Sequence, residues 1–272
     1  MSSFDFATCE VHIAERVATI QIVPPAKRRA GTSDLHYDLA RAFGALRNQD
    51  DVRVIVLTGM DDFFYNPMQP EFYQSETARA YLADSGGAWH TFSGIVQLHE
   101  AMSQIEKPIV ARVGGDAVGF GASLVFACDL IVAVEDVVIC DSHLGMGEVP
   151  EGGPGFGIVP GDGGAVVIPA SFPRALANEA LLLARRFTAD ELCSYGIINR
   201  AVPRVDLDAA VNEIVDALLR RSAYALAWTK RLTNQHVRLA VQTVVDQGAA
   251  YEMVNFLQLQ NRGGQDAFDL GD

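Results

Sequence analysis

Apolar residues near the start fall in two short runs, CEVHIA and VATIQIV, alternating or continuous and separated by the polar pair Glu15–Arg16. Their β-branched content and near period of two predict a strand pair joined by a tight turn. The period then changes. Between Ser33 and Asn48 the apolar positions are Leu35, Leu39, Ala42, Phe43 and Leu46, the spacing of an amphipathic helix, with Thr32 or Ser33 available as its N-cap. VRVIVLTG reads as a buried strand, a helix is expected from about Thr91 to Gln104, and PIVARV is a second buried strand leading into the turn GGDAVGFGAS. That turn opens a helix ending near Cys128, and DLIVAVEDVVIC supplies two further strands. Strands alternating with helices imply right-handed parallel crossovers, hence an α/β core.

Between Gly145 and Gly164 the pattern stops. Nine glycines and three prolines in these 20 residues exclude regular structure, and so long a loop inside a compact domain is usually functional. Helical periodicity returns at about Pro173–Ala184, Ala189–Tyr195, Leu207–Arg221, Ala223–Asn234 and His236–Leu259. The expected organisation is therefore a core over residues 1–200 and a helical region over 201–272. The last helix is apolar over much of its circumference, which suits packing between subunits, though a wholly intramolecular helix is a second reading.

Composition narrows the function classes. With 34 Asp and Glu against 21 Lys and Arg, the chain carries a net charge of -13, which repels phosphate backbones and anionic lipid. No apolar stretch approaches the ~20 residues of a membrane span, and the first ten residues lack a signal-peptide pattern, so a cytoplasmic protein is expected. Cys9, Cys128, Cys140 and Cys193 form no CxxC pair and have no histidine at ligand spacing, so neither a zinc site nor a disulfide framework is expected.

Candidate chemistry begins at the glycine turn. A strand, a glycine-rich turn and a helix together present free backbone N–H groups and the positive end of a helix dipole, a receptor for an anionic oxygen. The same glycines would equally serve a tight turn alone. GxGxxG is absent, which argues against a dinucleotide site.

Several segments agree with one family. VATIQIVPPAK, VRVIVLTG followed by Phe64, KPIVARVGGDAVGFGASLVFACDLIVA, GIVPGDGGAVVIP and ARRFTADELCSYGIINRAVP together resemble the crotonase (enoyl-CoA hydratase/isomerase) superfamily, over about residues 10–258. The resemblance implies a spiral of ββα units with a C-terminal helical trimerisation region, assembled as a homotrimer or a hexamer made from two trimers. It also implies two backbone N–H groups, those of Met68 and Phe120, that polarise a carbonyl into an enolate. Donors of this kind fixed before reaction are worth roughly 3 to 4 kcal/mol each in other enzymes.

A typical hydratase of the family uses two glutamates, and Ser123 stands where the first belongs. A hydroxyl cannot replace a carboxylate base near neutral pH. For the second position Glu148 and Glu151 are candidates, and His143 is at least as good. GTSDLHYDLARAF with His36, DSH followed by GIVPGDG with His143 and Asp162, and AAYEMV with Glu252 resemble the β-diketone hydrolases of the 6-oxocamphor hydrolase type. That branch carries a histidine in its glycine-turn loop and a tryptophan before its TS pair, where this chain has GFG and Gly31. The likeness implies retro-Claisen cleavage of a cyclic β-diketone without a metal or redox cofactor: Asp162 holds His143, which activates water, while Glu252 braces His36. Asp162 could instead cap the helix beginning GGAVVIP. His12, His90, His99 and His236 have no partner motif and read as structural.

Two other functions stay open. The run Lys27–Arg28–Arg29 lies where this family meets the nucleotide end of coenzyme A, so it is either an anion site or a solvated loop, and the first case implies an acyl-CoA substrate. A non-catalytic protein on the same fold is the remaining possibility, favoured by Ser123 and by a bulky Phe120 at a position usually glycine.

Overall fold

The computed structural model describes residues 6–28, 34–66, 85–146 and 157–261. Strands β1 (Cys9–Ala14) and β2 (Val17–Ile22) pair antiparallel across Glu15 and Arg16, whose positive φ values of 48° and 69° make the tight turn. From β2 the sheet continues in parallel through β3 (Val54–Gly59), β4 (Ile109–Val113), β6 (Leu130–Val134) and β9 (Arg200–Val202). Every residue of β3 is buried, and its apolar run Val54–Leu57 is that of a strand covered on both faces. A smaller sheet joins β5 (Ala117–Val118), β7 (Val138–Cys140) and β8 (Phe187–Thr188). The mostly parallel α/β layout agrees with the strand and helix alternation of the sequence.

Helix α1 (Leu35–Arg47) is capped by Asp34 rather than by Thr32 or Ser33, which lie outside the described residues. Its inner face buries Leu35, Leu39, Ala42, Phe43 and Leu46, the stripe read from the pattern. Asp38 on the same face accepts hydrogen bonds from the Ala7 and Thr8 backbones and the Thr8 hydroxyl, tying down the chain ahead of β1. Helix α2 (Ser85–Gln104) begins six residues earlier than expected, because Gly86 and Gly87 are weak helix formers that disguise its start. Helix α3 (Phe120–Phe126) is wholly buried behind the glycine turn.

Helices α4 (Gly164–Ser171), α5 (Arg174–Leu182), α6 (Ala189–Ser194), α7 (Leu207–Leu219) and α8 (Ala223–Thr233) follow. The expected last helix is divided into α9 (Gln235–Ala240), a π turn at Val241–Val245, and α10 (Asp246–Asn261). Val241, Val245, Ala249 and Glu252 are buried within the chain, while Val244, Tyr251 and Val254 remain exposed. One face of this helix is therefore intramolecular and carries an acid into the interior. Among the described residues no helix is long and apolar enough to cross a membrane.

Candidate active site

The site is assembled from four stretches that the sequence separates widely. After β7 the chain turns at Asp141–Met146, placing His143 in the interior at 4% exposure. A second loop delivers Asp162 just ahead of α4, the buried middle of α3 supplies Ser123, and α10 brings Glu252. All are buried. The loop and α10 can meet because neither Gly161 nor Gly248 has a side chain: a Cβ on Gly161 would overlap the Gly248 carbonyl oxygen and crowd Glu252. Gly163, with φ 115°, turns the chain into α4, and a Cβ there would strike the His99 ring.

His143 lies among three carboxylates. Its Nδ1 is 2.7 Å from Asp141 Oδ1, and its Nε2 is 3.1 Å from Asp162 Oδ2 and 3.9 Å from Glu252 Oε1. The other oxygen of Asp162 accepts from the Ser123 hydroxyl at 2.8 Å. His99 Nε2 is 2.8 Å from the Asp162 carbonyl oxygen, to which it donates. The residue that caps α4 is Gly163, with no side-chain cap bond, so Asp162 is turned inward rather than spent on the helix end.

Electrostatics separate these groups. Burial alone would favour neutral His143, but the Asp162 and Asp141 carboxylates and their hydrogen bonds outweigh it and raise the imidazole pKa well above its usual value. Burial opposes ionisation of Asp162, yet His143 and the Ser123 hydroxyl hold its carboxyl below the ordinary range. Glu252 goes the other way. Burial, with Asp162 and Asp141 nearby, raises its pKa well above the usual carboxylate value despite the pull of His143, and its Oε2 has no hydrogen-bond partner among the described residues. One imidazole thus sits among a firmly ionised acid and one that resists ionisation. Burial lowers the His99 pKa, which with its single carbonyl partner suits a structural, neutral ring.

The Asp141, His143 and Asp162 ligand atoms lie within 4.8 Å of one another, close enough to hold a divalent ion. Both ring nitrogens already meet carboxylates, so an ion would have to displace a proton from one of them.

His36 occupies a neighbouring wall. Its ring packs on Phe120 with centroids 4.3 Å apart, and its Nδ1 is 2.7 Å from Asp34 Oδ1. Phe120 is the first residue of α3, where no preceding turn supplies a carbonyl, and no acceptor for its N–H occurs among the described residues. His36 lies within electrostatic range of Asp162, so the two histidines belong to one region.

Two sequence expectations are corrected here. The partner of His36 is Asp34, because the cap of α1 already holds the ring, whereas α10 docks on the Gly161 loop and so brings Glu252 to His143. The carboxylate on His143 Nδ1 is Asp141, which the sequence reading passed over, while Asp162 meets Nε2. Of the basic run, Lys27 and Arg28 are described. Lys27 pairs with Asp61 on the surface at 2.8 Å, while Arg28 turns inward and donates to the Val23 carbonyl. Met68, Arg29, Glu148 and Glu151 lie outside the described residues.

The comparisons with known proteins agree with this architecture. Carnitinyl-CoA dehydratase from Proteus mirabilis is 27% identical over 233 residues, covering 85% of this chain and 83% of its own. A β-diketone hydrolase from the cyanobacterium Anabaena, solved with (S)-3-oxocyclohexyl acetic acid, superimposes with a TM-score of 0.81 at 20% identity, covering 96% of this chain and 99% of its own. An enoyl-CoA hydratase/isomerase from Mycobacterium paratuberculosis gives a TM-score of 0.78 at 25% identity, covering 95% of this chain and 98% of its own. The family model described as enoyl-CoA hydratase/isomerase matches residues 12–269, nearly the whole chain. The chain belongs to the enoyl-CoA hydratase/isomerase (crotonase) family and has its fold.

Proposed function

We propose that this enzyme hydrolyses a carbon–carbon bond in a β-diketone, cyclic in the simplest case, by a retro-Claisen reaction. The observation that carries the reading is the buried relay Asp141–His143–Asp162 beside α3, the helix that bears Ser123 in place of a hydratase carboxylate. The fraction of His143 that has given up its Nε2 proton, with Nδ1–H kept on Asp141, takes a proton from water at Nε2, and the hydroxide adds to one carbonyl carbon. The tetrahedral alkoxide collapses, the bond to the central carbon breaks, and its electron pair forms an enolate whose oxygen rests on the Phe120 N–H. Met68 N–H is the proposed second donor. The central carbon then recovers the proton from a histidine, His143 or the neighbouring His36, and the acid product ionises. Water and the diketone balance the reaction without a redox or metal cofactor.

The Anabaena neighbour bears the name of this activity, but at 20% identity its likeness is one of fold; the weight rests on the imidazole and its carboxylates. A panel of cyclic 1,3-diketones tests the reading. Keto acid should accumulate with the native chain, and H143A should lose at least 10³-fold in kcat, on the order seen for loss of a general base with its orienting partner. Unchanged turnover by H143A would remove the histidine from the mechanism.

A second reading is favoured by a specific pair of groups. Asp162 and Glu252 have opposite proton affinities and face one imidazole, as an acid and a base for adding or removing water on a coenzyme A thioester must. The carnitinyl-CoA dehydratase relatives are named for such a substrate. Calorimetric titration with coenzyme A and turnover of enoyl-CoA and carnitinyl-CoA panels separate the two, since a diketone hydrolase has no need to bind the nucleotide.

A further inference from the structure

Both histidines of the candidate site are held by one local device. In Asp141–Ser142–His143, Asp141 Oδ1 accepts from the His143 backbone N–H at 3.1 Å and lies 2.7 Å from its ring Nδ1. In Asp34–Leu35–His36, Asp34 Oδ1 makes the same two contacts, at 2.8 Å and 2.7 Å. One clip lies in a loop after a strand, and the other caps a helix. An aspartate bonding to the backbone two residues on is an ordinary turn. What is added is that the same oxygen also takes the ring.

An ionised carboxylate only accepts, so a nitrogen that faces it carries a proton. His143 Nε2 also faces Asp162, but at 3.1 Å against 2.7 Å for Nδ1 on Asp141, and the longer contact marks Nε2 as the atom that gives its proton up first. We propose that the two Asp-x-His clips lock His36 and His143 with Nδ1 protonated, which leaves Nε2 as the one proton-exchanging atom of each ring. Asp34 and Asp141 are thus positioning residues for an acid–base pair. Both rings adjoin one short stretch of α3: His36 packs on Phe120, and His143 reaches Ser123 through Asp162. His99 is the internal contrast, its Nε2 spent on a backbone carbonyl.

The groups acting on His143 are Asp141 and Cys140 from its own segment, Asp162 from the loop before α4, and Glu252 from α10. Around His36 they are Asp34, with Asp162 and His99 within electrostatic range; Arg28 acts on Asp34. The positive shift at His143 and the depressed Asp34 carboxyl both accord with ionised clips.

The assignment of Asp34 and Asp141 to catalysis rests on the acid–base reading of the site, whereas the tautomers do not. Long-range nitrogen–proton NMR of the full chain labelled at histidine, from about pH 6 to about pH 10, reports which nitrogen keeps its proton. His143 is expected to keep Nδ1–H and lose Nε2–H as pH rises, while His36 carries Nδ1–H and His99 carries Nε2–H. D34A and D141A should each release only its own histidine toward the Nε2–H form. D34N and D141N can still accept both N–H bonds, so they guard against loss of folding, and D141N should lower the pH at which His143 titrates. For D141N the acidic limb of whichever activity is found should move with it, and D141A should lose on the order of 10²-fold or more in kcat. Nε2–H in the native rings, or tautomers and titrations indifferent to these substitutions, overturns the clips. Correct tautomers with no turnover of diketones or thioesters leave the clips standing and sink the proposed function instead.

Discussion

At the scale of single residues, Glu252 is the group most out of balance with its surroundings. It is buried, one of its oxygens has no partner among the described residues, and two aspartates stand nearby. Its folded pKa is raised, so it contributes stability below its unfolded value, and that contribution is lost as pH climbs through the folded value. His143, also raised, has the same sign, with its loss beginning above its ordinary value of 6.5; Asp162, depressed, has the opposite sign and loses its contribution as pH falls. Native stability should therefore decline from neutral toward alkaline pH. E252Q removes one cause, and at alkaline pH it should exceed the native chain by about 1 to 3 kcal/mol, the range for a buried polar group left unpaired. Thermal unfolding across this pH range checks it, and parallel curves for the two proteins would contradict the assignment. His143, Asp162 and Glu252 could be named as candidates from the sequence because a family resemblance runs through them. Asp34 and Asp141 were not, since a carboxylate two residues before a histidine means nothing until the backbone turns its oxygen onto the ring. The signal was nonetheless present in the sequence, as SDLH and CDSH repeat the pattern.

Among the elements, the strands and amphipathic helices could be read directly because period and burial agree in them. The loop before α4 could not, since its geometry depends on contacts with α2 and α10 far along the chain. GDGG in this loop is a set of clearances, as Gly161 meets Gly248 and Gly163 meets His99. That makes G161A a sharper test than its size suggests. A methyl group there pushes two backbones apart, so it should cost roughly 2 to 4 kcal/mol and separate Asp162 from Glu252, with turnover falling further than stability does. The control is Gly44 in the middle of α1, where an added Cβ meets nothing within 4 Å and φ is not positive. G44A should stabilise the chain by about 0.5 to 1 kcal/mol. If G161A were as benign as G44A, the loop and α10 would not be in the contact that unites the site. The π turn in the last helix and the two-residue strand β8 lie beyond any periodicity argument, because tertiary packing rather than local pattern decides them.

For the whole molecule, the division of labour within the C-terminal helices matters most. Their inner face completes the interior through Val241, Val245, Ala249 and Glu252, so residues beyond 200 do more than the assembly role expected of them. Their outer faces still expose large apolar groups: Tyr224, Trp228 and Leu232 recur every fourth residue along α8 at 72%, 60% and 78% exposure. A stripe of this kind is poorly tolerated in water unless something covers it, and identical copies arranged in a closed ring are the economical solution. We propose that this surface is buried between copies of the chain, as the family resemblance led us to expect. Sedimentation velocity should then return three times 29.4 kDa, or six times that mass for paired trimers. W228E combined with L232E should shift the mass toward one chain while leaving the interior intact, because neither side chain contributes to the buried core. A single-chain mass for the native protein would end the oligomer proposal, yet the site could survive it: among the described residues, every group placed around His143 comes from one chain.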